Sequence, residues 1–392
     1  MDKPSLELEG KHVVYCVCSS VAAIKAPEIA RGMVRRGAKV TCVISEPAKD
    51  IIGVNALEWA SGNKVIDRIT GMAEHVLLAG GEKGGADALL IAPCTTATIG
   101  KIANGISDTN ITLFALTALG SRIPIVIAPA MHLSLYNQPI VAENVKKLEE
   151  NGVVFVGPKI EEGKAKLVDT EDIIDHVVRA VYKKTLAGKR VVVSAGATRE
   201  KIDDVRFLSN PSSGKMGIEL AREAWLRGAD VILYKGNVSV RLPNYIKKVD
   251  APDFSSMKKI VNEKADFMLL AAAVGDFAPE KHDGKIPSES EIVIRLKPNP
   301  KIYKNAKAKC LVIFKAECNA NDEQLLKAMQ ERIEEGYADI VIGNDVMRKG
   351  CGFGSDYNRI ILLKKGCSPV KLEGSKRELA KRIWDAILHQ KS

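Results

Sequence analysis

Residues 194–217 read SAGATREKIDDVRFLSNPSSGKMG, and this stretch decides the fold. An apolar strand, Arg190 to Val193, leads into it, and an amphipathic helix, Ile218 to Arg227, leads out. Between them stand a small-residue turn (Ser194, Ala195, Gly196, Ala197), a carboxylate–arginine loop (Asp203, Asp204, Arg206) and the run Ser209-Asn-Pro-Ser-Ser-Gly-Lys215. A strand-to-helix turn of small residues lets backbone N–H groups approach a phosphate at the helix N-terminus. A Gly/Ser-rich surface loop is the plainer alternative. Few such loops combine an Asn, an Arg, two Asp and a Lys.

Working outward, the helix ends in Leu226-Arg-Gly-Ala-Asp-Val231 and a strand follows to Tyr234. The first half repeats the scheme. A strand (His12 to Cys18) leads to Ser19-Ser20-Val-Ala-Ala-Ile-Lys25, then to a helix ending Arg35-Arg-Gly-Ala-Lys-Val40, then to a strand reaching Ile44. The Gly after each basic residue suits a helix C-cap. Two βαβ units predict an α/β protein of two Rossmann-like, doubly wound domains. Further apolar runs read as parallel strands buried on both faces: Ala88–Ala92, Ile123–Ala128 and Val153–Val156, then Phe267–Val274, Leu311–Phe314, Asp339–Ile342 and Arg359–Leu363. A helix over Thr170–Lys184 closes the first half and Thr185 to Lys189 reads as a linker. The expected domains are therefore 1–188 and 189–392.

A chain of 392 residues can bury two full cores, and 46% hydrophobic with 27% charged residues is ordinary for a soluble protein. No apolar run is long enough to span a bilayer. The polar, acidic start (Met1 to Gly10) is unlike a signal peptide. The eight Cys (16, 18, 42, 94, 310, 318, 351, 367) show neither a C-x-x-C pair nor zinc spacing. Core thiols in a reducing cytoplasm are the expectation. The net charge of +10 comes from dispersed basic residues, and aromatics make up only 5%, so no stacking platform for nucleic acid is evident. Polyanionic small ligands account for the charge, and so does an ordinary Lys-rich surface.

The 194–217 run resembles the nucleotide site of the phosphopantothenate–cysteine ligase family. The resemblance continues through Ala271-Ala-Ala-Val-Gly-Asp276-Phe, Lys285-Ile-Pro-Ser, Lys297-Pro-Asn-Pro300, Phe314-Lys-Ala-Glu317, Gly343-Asn-Asp345-Val and Gly352-Phe-Gly-Ser-Asp-Tyr-Asn358, in the family's order. The first half resembles the phosphopantothenoylcysteine decarboxylases, a family of flavoproteins with a flavodoxin-like domain. Together the halves are similar to the bifunctional coenzyme A biosynthesis family over nearly the whole chain.

In the first half, Ala92-Pro-Cys-Thr-Thr-Ala-Thr98 and Gly100-Lys-Ile-Ala-Asn-Gly-Ile-Ser-Asp108 look like the flavin loop of the cysteine decarboxylases. His75, in Ala73-Glu-His-Val-Leu, stands where that family carries its catalytic His. Ala128-Pro-Ala-Met-His132 looks like its Pro-x-Met-Asn motif, with His132 in place of the Asn. The imidazole cannot offer an amide's paired donor and acceptor in one plane. The resemblance implies that FMN is bound by Ser19, Ser20, Ser45, Pro93, Thr95, Thr98 and Met131, and that His132 meets substrate. It also implies oxidation of the cysteinyl thiol to a thioaldehyde, which gives the charge left by CO₂ an electron sink. The family's flap carries a proton-donating Cys. Here Pro158-Lys-Ile-Glu-Glu-Gly-Lys-Ala-Lys-Leu167 has none, which leaves open another acid, a thiol from elsewhere, or a lost reductive step. Lys164 and Lys166 are candidate contacts to a carboxylate or phosphate, or simply a solvated basic loop.

In the second half the resemblance implies attack of a carboxylate on the α-phosphate of CTP, with Mg²⁺, to give an acyl-cytidylate that cysteine's amine then opens. Lys285 is assigned to the triphosphate, with Lys281 as the alternative, and Asn210 to the acyl-cytidylate carbonyl. Ala271, Ala272, Ala273 and Asp276 hold the nucleotide, Phe314 lies against the base, and Pro300, Lys301, Ile302 and Tyr303 lie nearby. Asp203 and Arg206 are either part of this site or a structural ion pair. The implied partners are 4′-phosphopantothenate, cysteine and CTP, with neither nucleic acid nor membrane. The implied assembly is a homo-oligomer, plausibly a dodecamer of trimers linked by ligase dimers. A ligase with an impaired flavin domain, an FMN-binding regulatory subunit and a dinucleotide oxidoreductase are the competing readings. The lack of a complete G-x-G-x-x-G fingerprint weighs against the last.

Overall fold

The computed structural model describes residues 6–289, 291–348, 350–352 and 354–389. The chain divides into two compact units, Met1–Lys183 and Lys184–Ser392. In the first, β1 (His12–Val17), β2 (Lys39–Ile44), β3 (Ala88–Cys94), β4 (Ile125–Pro129) and β6 (Val154–Phe155) form a parallel sheet in the order β2-β1-β3-β4-β6. Every residue of β1, β3 and β4 is buried, as strands covered by helices on both faces require. The strand order reverses between β1 and β3, so the loops leaving their C-terminal ends diverge and open a crevice there. A separate antiparallel sheet joins β5 (Met131–His132), β8 (Lys164–Lys166) and β7 (Lys159–Glu161), with Met131 opposite Ala165 and His132 opposite Lys164.

The second unit is built on β9 (Arg190–Ala195), β12 (Asp230–Lys235), β13 (Lys247–Asp250), β14 (Ala265–Leu270), β17 (Ala308–Glu317), β18 (Ile340–Asp345), β19 (Tyr357–Lys364) and β20 (Val370–Ser375), in the order β13-β12-β9-β14-β17-β18-β19-β20. Its reversal lies between β9 and β14. Two small hairpins stand apart: β10 (Arg199–Lys201) with β11 (Phe207–Ser209), and β15 (Phe277–Pro279) with β16 (Leu296–Pro298). The core of this unit centres on Trp384, which is fully buried, donates from Nε1 to the Leu220 carbonyl at 3.0 Å and meets Phe267 edge-on at 5.5 Å.

Three readings of the sequence need correction. Arg359–Leu363 lies in β19, which runs antiparallel to both β18 and β20 rather than parallel. The run Phe267–Val274 leaves the sheet after Leu270, because the Ala272 N–H is taken by Ser194 Oγ at 3.1 Å and the Ala273 N–H by the Gly196 carbonyl at 2.8 Å. The helix expected from Ile218 starts at Lys215, after Gly214 in a left-handed turn (φ +81°).

Candidate active sites

The crevice of the first unit is laced together at the strand ends. Ser20 opens a short 3₁₀ turn (Val21–Lys25): its Oγ accepts from the Ala22 N–H and donates to the Ala130 carbonyl, both at 3.4 Å. Thr95 caps the helix Thr96–Ala103, accepting from the Thr98 N–H at 3.4 Å, and Thr98 Oγ1 lies 3.4 Å from the buried Cys18 thiol. These contacts join the ends of β1, β3 and β4 into one floor bearing Ser19, Ser20, Pro93, Thr95 and Thr98. Ser45 follows β2, with its backbone N–H on the Val17 carbonyl at 3.1 Å.

Among the described residues, Ser45 Oγ and His75 Nδ1 are buried polar atoms without a hydrogen-bond partner. A buried donor or acceptor left unmade costs about 1–3 kcal/mol, so both fit a bound polar ligand. His75 lies in the short helix Glu74–Ala79, its ring edge-on to Phe114 at 6.4 Å. The hydroxyls at the strand ends, with the orphaned Ser45 Oγ next to the end of β1, suit a flavin phosphate.

Met131 and His132 lie in β5, paired edge to edge with β8 of the β7–β8 hairpin. His132 Nδ1 is 2.8 Å from Ser134 Oγ, which leaves Nε2 for another partner. Lys166 is engaged by Glu162 at 2.7 Å and Glu161 at 3.7 Å. Lys164 makes no ion pair among the described residues, and it stands across from His132 in register. Sequence reasoning passed over Asn110, whose Nδ2 bridges the Ile44 and Asp67 carbonyls at 2.7 and 3.2 Å. Its signal was the Thr109 cap that opens the helix Asn110–Gly120.

The second unit encloses a cavity of about 500 Å³ at its reversal point. Its geometry begins with three backbone bonds: the Ala197 N–H to the Asn237 carbonyl (3.0 Å), Thr198 N–H to Ala273 (3.3 Å) and Ala273 N–H to Gly196 (2.8 Å). Gly196 has φ +85°, and a Cβ there would lie 2.5 Å from the Asn237 oxygen. Gly217 admits the helix close to β9, since its Cβ would lie 2.6 Å from the Ser194 oxygen. The cavity gathers Asn210, Ala271, Ala272, Ala273, Asp276, Pro300, Lys301, Ile302, Tyr303 and Phe314. Asn210 Nδ2 donates to the Ala273 carbonyl at 3.4 Å. Asp276 accepts from Lys301 Nζ at 2.5 Å, and Asn299 braces the same turn through the Gly275 and Asp276 carbonyls at 2.9 and 2.8 Å.

Lys285 is not among the cavity residues; it lies in the segment between β15 and β16. Sequence reasoning assigned no role to Lys215, Lys315 or Lys376, all of which line the cavity. Lys376 is buried, and burial together with the nearby Lys215 charge lowers its ammonium from the ordinary lysine range. Its signal was the Ser375 to Glu378 capping box that starts the last helix. Among the described residues no group of three His, Cys, Asp or Glu side chains could hold a metal, and no helix is long and apolar enough to cross a membrane.

Residues 1–182 match the Flavoprotein family, and residues 186–390 match the DNA/pantothenate metabolism flavoprotein C-terminal domain. The chain is 42% identical to the coenzyme A biosynthesis bifunctional protein CoaBC of Thermococcus kodakarensis, covering 98% of this chain and 96% of that one. It is 31% identical to the protein of the same name from Escherichia coli, covering 98% of each. Among solved structures, the C-terminal domain of a CoaBC protein is 28% identical, with 53% of this chain and 97% of that one covered and a TM-score of 0.43. The chain therefore belongs to the family of bifunctional coenzyme A biosynthesis proteins.

Proposed function

We propose that this protein joins 4′-phosphopantothenate to cysteine at the expense of CTP in its second unit, and decarboxylates the product to 4′-phosphopantetheine with FMN in its first. The observation that carries the reading is the cavity at the β9/β14 reversal, where segments more than a hundred residues apart in sequence bring Asn210 and Phe314 together.

In the ligase step, a carboxylate needs a leaving group before an amine can displace it. Lys285 would reach in from the segment between β15 and β16, outside the cavity lining, to neutralise the triphosphate, and Mg²⁺ would bring further positive charge to the same phosphates. Asn210 donates to the carbonyl oxygen as charge develops on the acyl-cytidylate. Asp276 and the Ala271–Ala273 backbone hold the nucleotide, with Phe314 against its base. Cysteine's amine then displaces CMP.

In the decarboxylase step, Ser19, Ser20, Ser45, Thr95 and Thr98 would hold the flavin, with the serine hydroxyls suited to its phosphate. The chemistry a bound flavin supplies is two-electron exchange at the thiol-bearing carbon. His75 holds or moves a proton. Met131, His132 and the β7–β8 hairpin cover the substrate and exclude water. A cytoplasmic homo-oligomer, trimeric through the first unit and dimeric through the second, completes the reading.

The test supplies phosphopantothenate, cysteine and each nucleotide, and follows pyrophosphate and CO₂ separately. CTP-dependent pyrophosphate followed by CO₂ is expected. Pyrophosphate without CO₂ would favour a ligase whose flavin unit is impaired. A preparation that is colourless and fails to bind added FMN would overturn the first-unit assignment.

A further inference from the structure

The segment that carries Lys285 is gripped by a different hairpin. The turn between β10 and β11 meets it residue by residue. The His282 N–H donates to the Ile202 carbonyl at 2.9 Å. The Asp204 N–H donates to the Gly284 carbonyl at 3.4 Å, and Asp204 Oδ2 accepts from the Gly284 N–H at 3.0 Å. Asp203 Oδ2 accepts from the Ile286 N–H at 3.2 Å, and Arg206 Nη1 donates to the Ile286 carbonyl at 3.1 Å. Ile286, the residue after Lys285, is therefore held at both its N–H and its C=O.

Asp203 is fully engaged in this grip. Its side chain is wholly covered, Oδ1 takes the Val205 and Arg206 N–H groups at 2.8 and 2.6 Å, and Oδ2 takes Arg206 Nη1 at 2.9 Å besides Ile286. An ion pair serving the turn alone has no need to reach residue 286. The other end of the same hairpin runs straight into the cavity: β11 ends at Ser209, whose Oγ donates to the Thr198 carbonyl at 2.7 Å, and Asn210 follows. One hydrogen-bonded hairpin thus links Asn210 to the Lys285 segment. Within that segment Lys281 is committed to Asp283 at 3.0 Å and faces Asp204 at 3.9 Å, whereas Lys285 makes no ion pair among the described residues.

We propose that Asp203 and Arg206 are positioning residues for Lys285: by clamping the Ile286 peptide they set where the Lys285 ammonium stands during the nucleotide step. The inference rests on the ligase reading above and deepens it. It makes the carboxylate–arginine pair a device for the adjacent lysine rather than a ligand of the substrate.

Asp203→Asn tests it in the full-length protein. The new amide keeps one acceptor for the turn but offers Ile286 and Arg206 an N–H₂ in place of an acceptor. Two readouts are taken: hydrogen exchange of peptides spanning residues 280–296, and steady-state pyrophosphate release with phosphopantothenate, CTP and cysteine. Protection at Ile286 should fall, and kcat should fall roughly tenfold or more while KM for CTP changes little. Placed on Lys285→Ala, the same change should cost nothing further, because the clamp acts through the lysine. Arg206→Lys, which keeps the charge facing Asp203, should recover part of kcat relative to Arg206→Gln. If Asp203→Asn fails to fold, Arg206→Gln carries the same measurements, since that side chain is one-third exposed. Loss of protection with undiminished kcat, or losses that add to those of Lys285→Ala, would overturn the positioning role. No pyrophosphate from the unaltered protein with any nucleotide would overturn the ligase reading itself, before any variant is made, and the positioning role with it.

Discussion

His75 and Asn210 both offer polar atoms that their own fold leaves for something else. His75 Nδ1 is buried without a partner, and Asn210 spends one donor on a 3.4 Å contact to Ala273. His75→Asn should lower CO₂ release by about 10²–10⁴-fold, the usual worth of a positioned acid or base, and leave pyrophosphate release intact. Undiminished decarboxylation would remove His75 from the chemistry. Asn210→Asp should slow amide formation about 10²–10³-fold, because a carboxylate cannot donate to a developing oxyanion. Acyl-cytidylate trapped on the enzyme would be its signature, and normal turnover would assign that work to backbone donors. Glu200 gives a pH test. Burial pushes its carboxyl above the ordinary range, against hydrogen bonds from Thr198 and the Phe254 N–H. A raised folded-state value means the protonated form is the better tolerated one. Stability from this group is full below the unfolded value of about 4.3 and is lost as pH rises through the folded value. Glu200→Gln should therefore match the parent near pH 4 and exceed it near pH 7 in urea midpoint. Equal midpoints at both pH values would count against it. The residues legible in the sequence are those inside short contiguous motifs, such as Asn210 and His75. Lys376 was not legible: it reaches the cavity from the last helix, more than 150 residues from Asn210, and no local spacing encodes that approach.

At the scale of elements, the two βαβ units could be read directly, because a buried strand, a small turn and a glycine-capped helix are local signals. Strand direction was read as parallel throughout, which holds for β3, β4, β6, β14, β17 and β18 and fails for β19. An apolar run such as Arg359–Leu363 has the same pattern in either sense. The connections held the answer. Residues 346–356 and 365–369 are too few for a helical crossover, so β19 and β20 return antiparallel. β20 itself escaped notice because it is an edge strand with only Leu372 and Gly374 buried. The turn at Gly196 yields a stability prediction. Gly196→Ala forces a Cβ into a left-handed residue, worth about 1–2 kcal/mol, and sets it 2.5 Å from the Asn237 oxygen and 2.8 Å from Val238 Cγ1. The melting temperature of the second unit should fall by several degrees, with ligase activity lost before decarboxylase activity. An unchanged melting temperature would mean that the Asn237 loop yields freely. The β7–β8 hairpin raises a chemical question instead, since it carries no Cys. With His132 and Lys164 facing each other there, acids are at hand, and the product should be fully reduced 4′-phosphopantetheine. A product two hydrogens lighter by mass spectrometry would show that the flap's thiol is not replaced.

At the scale of the molecule, two complete cores lie in one chain, and the place to part them follows from packing. The sequence puts the boundary near residue 188, with Thr185 to Lys189 read as a short linker. Leu186 is in fact fully buried in the core built on Val191, Leu220 and Trp384, and its N–H is bound to the Arg227 carbonyl at 2.9 Å. A single leucine in a polar stretch gives no periodicity, so its burial could not be read from sequence. The consequence is measurable. A fragment of residues 184–392 should fold alone, bind CTP and release pyrophosphate, yet release no CO₂. A fragment of residues 189–392 lacks Leu186 and leaves a hole beneath the helix Lys215–Leu226. Loss of a buried leucine costs about 2–5 kcal/mol, so this shorter fragment should unfold at clearly lower urea or aggregate, with the cavity residues all still present. Coincident unfolding curves for the two fragments would show that Leu186 is dispensable. A folded 184–392 fragment unable to release pyrophosphate would show that the ligase cavity depends on the first unit.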